Sequence, residues 1–387
     1  MNTTTTATGQ IINTSFGGAV NSTVSHQWAS RPDDERYTSL TDLHEHCATQ
    51  RANSVGKVLA NRDLTAVPVD GDHKGLHIVG RAGQPVVAAT NWSFNQLAQL
   101  AKAPAGYLQT LPSALTADLI NYGLHVARDP EEMGVLLTQS LNGDIPTLRA
   151  ATGANYGRVW NSDITRRLVD RFGTGIDGDF KIPAEFGVRQ PITKDNTTLY
   201  ASDRDFFVFL ADEENRIELP NRRDGRTGSL ARGFYISNSE TGAGTLTFGC
   251  MLFDFACMNR NLWGVNEFQE IRIRHTKSAP HKLTETLLPT LNAFARENRD
   301  QLTTMQSMLI AAQQKKIDDV DAFLRARKFS GVQVNAIKTV AMAEEGRPIE
   351  SLFDASAAVT AYARGITHQN QRVELERIGG SILKLAA

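Results

Sequence analysis

Three groups of cations hold most of the chemistry this sequence can offer. Arg149, Arg158, Arg166, Arg167 and Arg171 surround Tyr156 and Trp160; Arg222, Arg223, Arg226 and Arg232 form a second group; Arg272, Arg274, His275 and Lys277 form a third. Residues 270–277 alternate as a half-exposed strand does, which sets Arg272 and Arg274 on one face and Ile271 and Ile273 on the other. Cations along a backbone with rings to stack on bases are what a single-stranded nucleic acid needs. The plainer alternative is a solvated strand face with ordinary surface arginines.

Other chemistries find less support. His44 and His46 flank Glu45, and His73 and His77 straddle a glycine turn, but no Cys-x-x-Cys or His-Glu-x-x-His spacing marks a metal centre. The stretch TGAGTLTFG (residues 241–249) has close glycines without a Walker lysine or a following helix start, so it reads as a hairpin turn and not as a phosphate cradle. Cys257 or Ser237 would be a nucleophile only beside a placed His and carboxylate; Cys250 and Cys257 lie in an apolar run and read as buried thiols. No catalytic residue, metal or cofactor is assigned.

The elements that must position these residues centre on residues 229–264. Two apolar runs flank a polar turn built from Asn238, Ser239, Glu240, Thr241, Gly242 and Gly244, the pattern of a β-hairpin or close strand pair. The second run, residues 245–259, reads as a central strand that turns helical towards Asn259. Strands are expected at residues 62–69, 76–79, 134–138, 148–152 and 206–211, with a turn at residues 70–74. Helices are expected at residues 40–59, capped by Ser39 or Thr41, after Asn91 or Ser93, at residues 114–124, and at residues 160–172, capped by Asn161 or Ser162. In the last of these Ile164, Leu168, Val169 and Phe172 share a face that excludes Arg166, Arg167 and Arg171. Beyond Pro280 the pattern is helical: one long amphipathic stretch at residues 281–316, then shorter helices, two of them broken at Ser330 and Gly331 like a helix–turn–helix or an ordinary packed pair.

The expected architecture is therefore α+β: a mixed/antiparallel β-sheet core with packed helices and a mostly helical C-terminal lobe. The expected divisions are a flexible tail (residues 1–36, with Trp28 as its one candidate for docking), an α+β core (37–279) and a helical region (280–387). The 387 residues carry a formal net charge of −1, which removes any argument for nucleic-acid binding from bulk charge. Three cysteines make no disulfide framework, and no apolar run approaches a membrane span, so a cytoplasmic protein is expected.

The stretch GFYISNSETGAG and the apolar strand after it resemble the signature of a phage- and plasmid-borne protein family, the domain of unknown function nine-three-two. Residues 94–111 (FNQLAQLAKAPAGYLQTL), 148–164 (LRAATGANYGRVWNSDI) and 352–364 (LFDASAAVTAYAR) are similar to further segments of that family. Ala357 stands where the family usually carries Asn, and Gly153 where Ser is common. The resemblance implies no settled activity; its genomic setting suggests single-strand annealing by analogy.

The leading expectation is a non-catalytic protein that binds single-stranded DNA and promotes annealing as a homo-oligomer, without membrane contact. Arg149, Arg158, Arg166, Arg272, Arg274 and Lys277 would contact phosphates, Tyr156 or Trp160 would stack on bases, and Asn238, Ser239 and Glu240 would shape the turn. The alternatives are a metal-dependent nucleic-acid or nucleotide enzyme using Glu240 and Asp254, and a module that engages a phage or host protein through the helical lobe.

Overall fold

The computed structural model describes residues 3–5, 10–13, 32–69, 76–80, 86–126, 131–139, 145–183, 191–220, 222, 225, 227–254, 262–263, 270–296, 299–364, 375, 378–379 and 381–386. Trp28, His73, the turn at residues 70–74, Arg223, Arg226, Cys257 and Asn259 lie outside them. The fold is α+β, with a helical C-terminal region. No helix among the described residues is long and apolar enough to cross a membrane.

The larger sheet has eleven strands among the described residues, all paired antiparallel. Its path runs through Gln10–Asn13, Glu270–Ile273, Leu246–Asp254, Gly228–Asn238, Phe206–Asp212 and Leu199–Ala201. Gly228–Asn238 and Leu246–Asp254 form the expected hairpin, with Ser237 opposite Thr247 beside the turn and Leu230 opposite Asp254 at the far end. Phe206–Asp212 is buried at every position, so its sequence is a continuous apolar run rather than an alternation. On one face of the sheet Phe172, Phe180, Phe234, Phe248 and Phe294 gather with helices Leu40–Ala52 and Asn161–Phe172.

The second sheet orders its strands Ser54–Ala60, Glu132–Thr138, Thr147–Gly153, Val86–Ala89, Leu76–Gly80 and Leu64–Pro68. One pairing, Val86–Ala89 with Thr147–Gly153, is parallel, which makes this sheet mixed. Helices Asn91–Leu100, Ala105–Leu108 and Ser113–Val126 contribute to its own apolar cluster, including Leu97, Ile120, Leu124, Met133 and Val135. The two sheets thus have separate cores, and the larger one draws strands from before residue 37 and core residues from after 279. The chain passes from Thr147–Gly153 of the second sheet to the Asn161–Phe172 helix against the first, and the candidate site lies at that passage.

Several local expectations change. The helix from Leu40 ends at Ala52, and Val55, Val58 and Leu59 belong to strand Ser54–Ala60, where β-branched residues beside Gly56 favour extension. Ser39 caps that helix as expected. Thr90, not Asn91 or Ser93, caps Asn91–Leu100, with Ser93 returning the bond in a capping box. The stretch at residues 281–316 is not one helix. A π-turn at Leu283–Leu287 precedes Leu288–Arg296, where Pro289 lacks an N–H for the regular ladder, and Arg299–Gln314 is a separate helix. Leu283, Leu287, Leu291 and Phe294 pack into the first sheet's core, whereas the later helices form a third cluster with Ile217, Leu219 and Leu230. Gln10–Asn13, within the expected tail, pairs with Glu270–Ile273.

The second basic group is internal where described. Arg222 pairs with Glu345 at 2.7 Å and lies over Phe353, joining the hairpin's surroundings to the C-terminal helices. Arg232 pairs with Asp212 at 3.0 Å between Phe180 and Phe294. Neither guanidinium is presented to a ligand.

Candidate functional site

The turn after Gly228–Asn238 is held by its own side chains and by four other segments. Ser239 Oγ accepts the N–H groups of Thr241 (3.2 Å) and Ala243 (2.9 Å) and donates to the Arg204 carbonyl at 2.7 Å. Gly242 has φ +86°, a conformation that costs an L side chain roughly 1–2 kcal/mol. Trp92 Nε1 and Gln96 Nε2, one turn apart on a helix, both donate to the Thr241 carbonyl, at 3.0 and 2.7 Å. Tyr156 donates its hydroxyl to the Ser239 carbonyl at 2.7 Å. Asn238 Nδ2 donates to the Val159 carbonyl and to Asn161 Oδ1, at 2.9 and 2.7 Å.

Glu240 is the centre of this arrangement, and only 2% of it is exposed. Its Oε2 accepts from Arg149 Nη1 at 3.2 Å, and its Oε1 accepts the backbone N–H of Asn161 at 2.7 Å. The carboxylate therefore caps the Asn161–Phe172 helix, whose own cap residue, Trp160, makes no side-chain bond. The expected cap at Asn161 or Ser162 is replaced by a side chain from another strand. Arg158 donates to the Glu240 carbonyl oxygen, so two guanidinium groups stand around one carboxylate. Burial raises the Glu240 carboxyl above its ordinary value, held back by Arg149, the Asn161 N–H and Arg158.

Arg149, expected at a phosphate, is 4% exposed. Its guanidinium is taken up by Glu240, the Ser54 hydroxyl and the Asp203 carbonyl, because Thr147–Gly153 is a buried strand. It positions the turn. The paired-carboxylate idea also fails on geometry: Glu240 sits in the turn and Asp254 pairs with Leu230 at the other end of the hairpin, about 25 Å away at strand rise. His44 meets Thr165 and the His46 ring lies tilted against Tyr37, so these two histidines do not converge.

Of the first and third basic groups, Arg158 and His275 come together around Tyr156 and Trp160, whereas Arg171 pairs with Asp179 beside Phe172. His275 stacks on Tyr156 with centroids 4.8 Å apart, Arg158 lies 5.4 Å from the Tyr156 ring and 5.8 Å from the Trp160 ring, and Arg51 lies 5.3 Å from Trp160. Rings and guanidinium groups thus form a ladder from the half-buried His275 end to the exposed Arg51 end. Burial lowers the Arg158 and His275 acidities' midpoints, His275 to about 4, and raises that of Tyr156, so His275 is neutral and Tyr156 is a phenol at neutral pH. Gly157 fixes the join between the two groups: its N–H donates to the His275 carbonyl at 3.0 Å, and a Cβ there would stand 1.8 Å from the Thr276 oxygen. Arg274 and Lys277 are exposed beside this contact, Arg166 is exposed on the helix that Glu240 caps, and Arg272 is half-buried between Thr247 and Ile11 in the sheet.

Sequence reasoning missed Trp92, Gln96, Arg204 and Arg51. Trp92 and Gln96 are four apart in NWSFNQ, a spacing that puts both donors on one helix face. A cleft of about 430 Å³ lies among residues that support the turn, lined by Trp92, Arg149 and Arg204 but also by Glu35, Asp203 and Asp205, a mixed charge that suits no simple anion.

Fold and site together define an α+β protein whose buried carboxylate joins two sheets beneath an aromatic–guanidinium ladder. Comparison with protein-family models, curated proteins and solved structures finds no match.

Proposed function

We propose that this protein binds single-stranded DNA without catalysis and promotes strand annealing as a homo-oligomer. The observation that carries the reading is the ladder's open end. The half-buried Trp160 and the exposed Arg51, which also pairs with Asp163 and Ser162, end the ladder, while Arg166, Arg274 and Lys277 are exposed cations and Arg158 is a half-buried one. A base stacks on the Trp160 indole by displacing the exposed Arg51, and the flanking cations neutralise phosphates. Tyr156 acts from below, because its ring and hydroxyl are both engaged. Arg149 and Glu240 hold the platform and touch no DNA.

Two variants test it by fluorescence anisotropy with a labelled single strand. Trp160→Ala should weaken binding roughly 5- to 150-fold, the effect of about 1–3 kcal/mol per stacked base. Arg274→Glu with Lys277→Glu should flatten the dependence of log K on log salt by about two phosphate contacts or more. Binding unchanged in both variants, with their fold intact, would sink the proposal.

A further inference from the structure

Helix Ser113–Val126 has an outer face unlike that of an ordinary surface helix. Its inner face, Thr116, Ala117, Ile120, Gly123 and Leu124, is buried on the second sheet. Outside, Leu115, Leu119, Tyr122 and Val126 are 46, 36, 68 and 55% exposed, with Asp118 and His125 the exposed charged or titratable groups among them. A surface helix normally turns its polar face to water, and a helix apolar on both sides needs a partner.

The helix cannot roll to hide these residues. Asn121 brackets residue 66 of the neighbouring strand, accepting the Ala66 N–H at 2.7 Å and donating to the Ala66 carbonyl at 2.8 Å. His125 Nε2 lies 2.8 Å from the Leu64 carbonyl. Gly123 rides directly on Ala101, whose carbonyl oxygen a Cβ would approach to 2.1 Å. The stripe is thus fixed outward by contacts on the opposite side.

We propose that this stripe is the contact between two copies of the chain, packed as antiparallel helices about a twofold axis between Ile120 and Asn121. The spacing argues for a second copy. The exposed apolar residues fall at intervals of 4, 3 and 4, which reads the same in both directions. Reversal therefore sets Leu115 against the partner's Val126 and Leu119 against the partner's Tyr122, the layer pattern of a short antiparallel coiled coil. Charge agrees with this register. Asp118 and His125 flank the seam on one side, and reversal brings each Asp118 within about one helical turn of the partner's His125, whose imidazolium form has a ring N–H beyond the one held by the Leu64 carbonyl. The apolar patch is on the order of a few hundred Å² per copy, less than the ~800 Å² per partner of a standard interface. Association should accordingly weaken on dilution.

The inference gives the homo-oligomer of the proposed function its contact, but its argument is the helix alone, and the experiment reads the two separately. Light scattering after size exclusion, across a range of concentrations, should give a wild-type mass about twice 42.4 kDa at the upper end, falling on dilution. Leu119→Asp with Tyr122→Asp should return it to one chain with an unchanged circular-dichroism spectrum. Val332→Asp, at a residue 81% exposed on another helix, should leave the assembly intact. Mixing equal amounts of a Leu119→Cys protein and a Tyr122→Cys protein should yield the mixed disulfide well beyond the roughly twofold excess over either homodimer that random pairing gives. A wild-type mass of one chain throughout, an assembly whose mass Leu119→Asp with Tyr122→Asp leaves unchanged, or crosslinks favouring 119 with 119 would overturn it. Anisotropy with a single strand on the same samples reports DNA binding independently of mass.

Discussion

Arg149 and Glu240 offer the sharpest perturbation, because each is buried almost completely and each has the other as its ion-pair partner. Arg149→Met keeps much of the arginine stem's volume but strands a carboxylate that is 2% exposed. Breaking one side of a buried pair costs about 3–5 kcal/mol, and that is the expected loss. Glu240→Gln leaves an amide oxygen for the Asn161 N–H but leaves Arg149 unneutralised, so a loss of similar size follows. In the double variant neither orphaned charge of the pair remains, the helix cap can persist, and Arg158 still reaches the residue-240 carbonyl. The two changes should therefore couple by about 2 kcal/mol or more in favour of the double variant. Urea unfolding followed by circular dichroism and tryptophan fluorescence measures this, since Trp92 and Trp160 both touch the network. Additivity within about 0.5 kcal/mol, or single losses under about 1 kcal/mol, would refute the claim that this pair secures the turn.

Three further outcomes follow from the same geometry. Because His275 falls from its ordinary value to about 4, the unfolded chain binds a proton before the native one as pH drops below 6.5. Stability should be constant on this account above about pH 6.5 and fall by about 3 kcal/mol towards pH 4; His275→Phe, which keeps the ring on Tyr156, should remove that slope in unfolding measurements. Gly157→Ala must separate two backbone segments, since its Cβ would stand 1.8 Å from the Thr276 oxygen, and should cost about 1–3 kcal/mol with faster amide exchange at residues 274–278. Gly153→Ser, with nothing within 4 Å, should stay within about 0.5 kcal/mol, and a reversal of that order in thermal melts would contradict the packing described.

Local periodicity made several elements legible. Ile271 and Ile273 are buried where alternation puts them, and the face of Ile164, Leu168 and Phe172 defines its helix correctly. What periodicity hides is a partner from elsewhere in the chain. The residues marking the turn were plain, but Glu240 takes Asn161 from 79 positions away and Arg149 from 91, so neither its burial nor its capping role has a local signal. Arg149 was legible as a cation and illegible as an internal one, because burial of its strand depends on a second sheet passing beside the first. Pro289 carried a readable warning that the stretch from residue 281 would not be one regular helix. The ladder was half visible: Tyr156, Arg158 and Trp160 lie close in sequence, whereas Arg51 and His275 join them only through the fold.

The most direct test of the central claim is the affinity of the wild-type protein for a labelled single strand and for the matching duplex across a salt titration. The account predicts tighter binding to the single strand, weakening steeply as salt rises. Indifference to both at low salt, or equal affinity for the two, would contradict it.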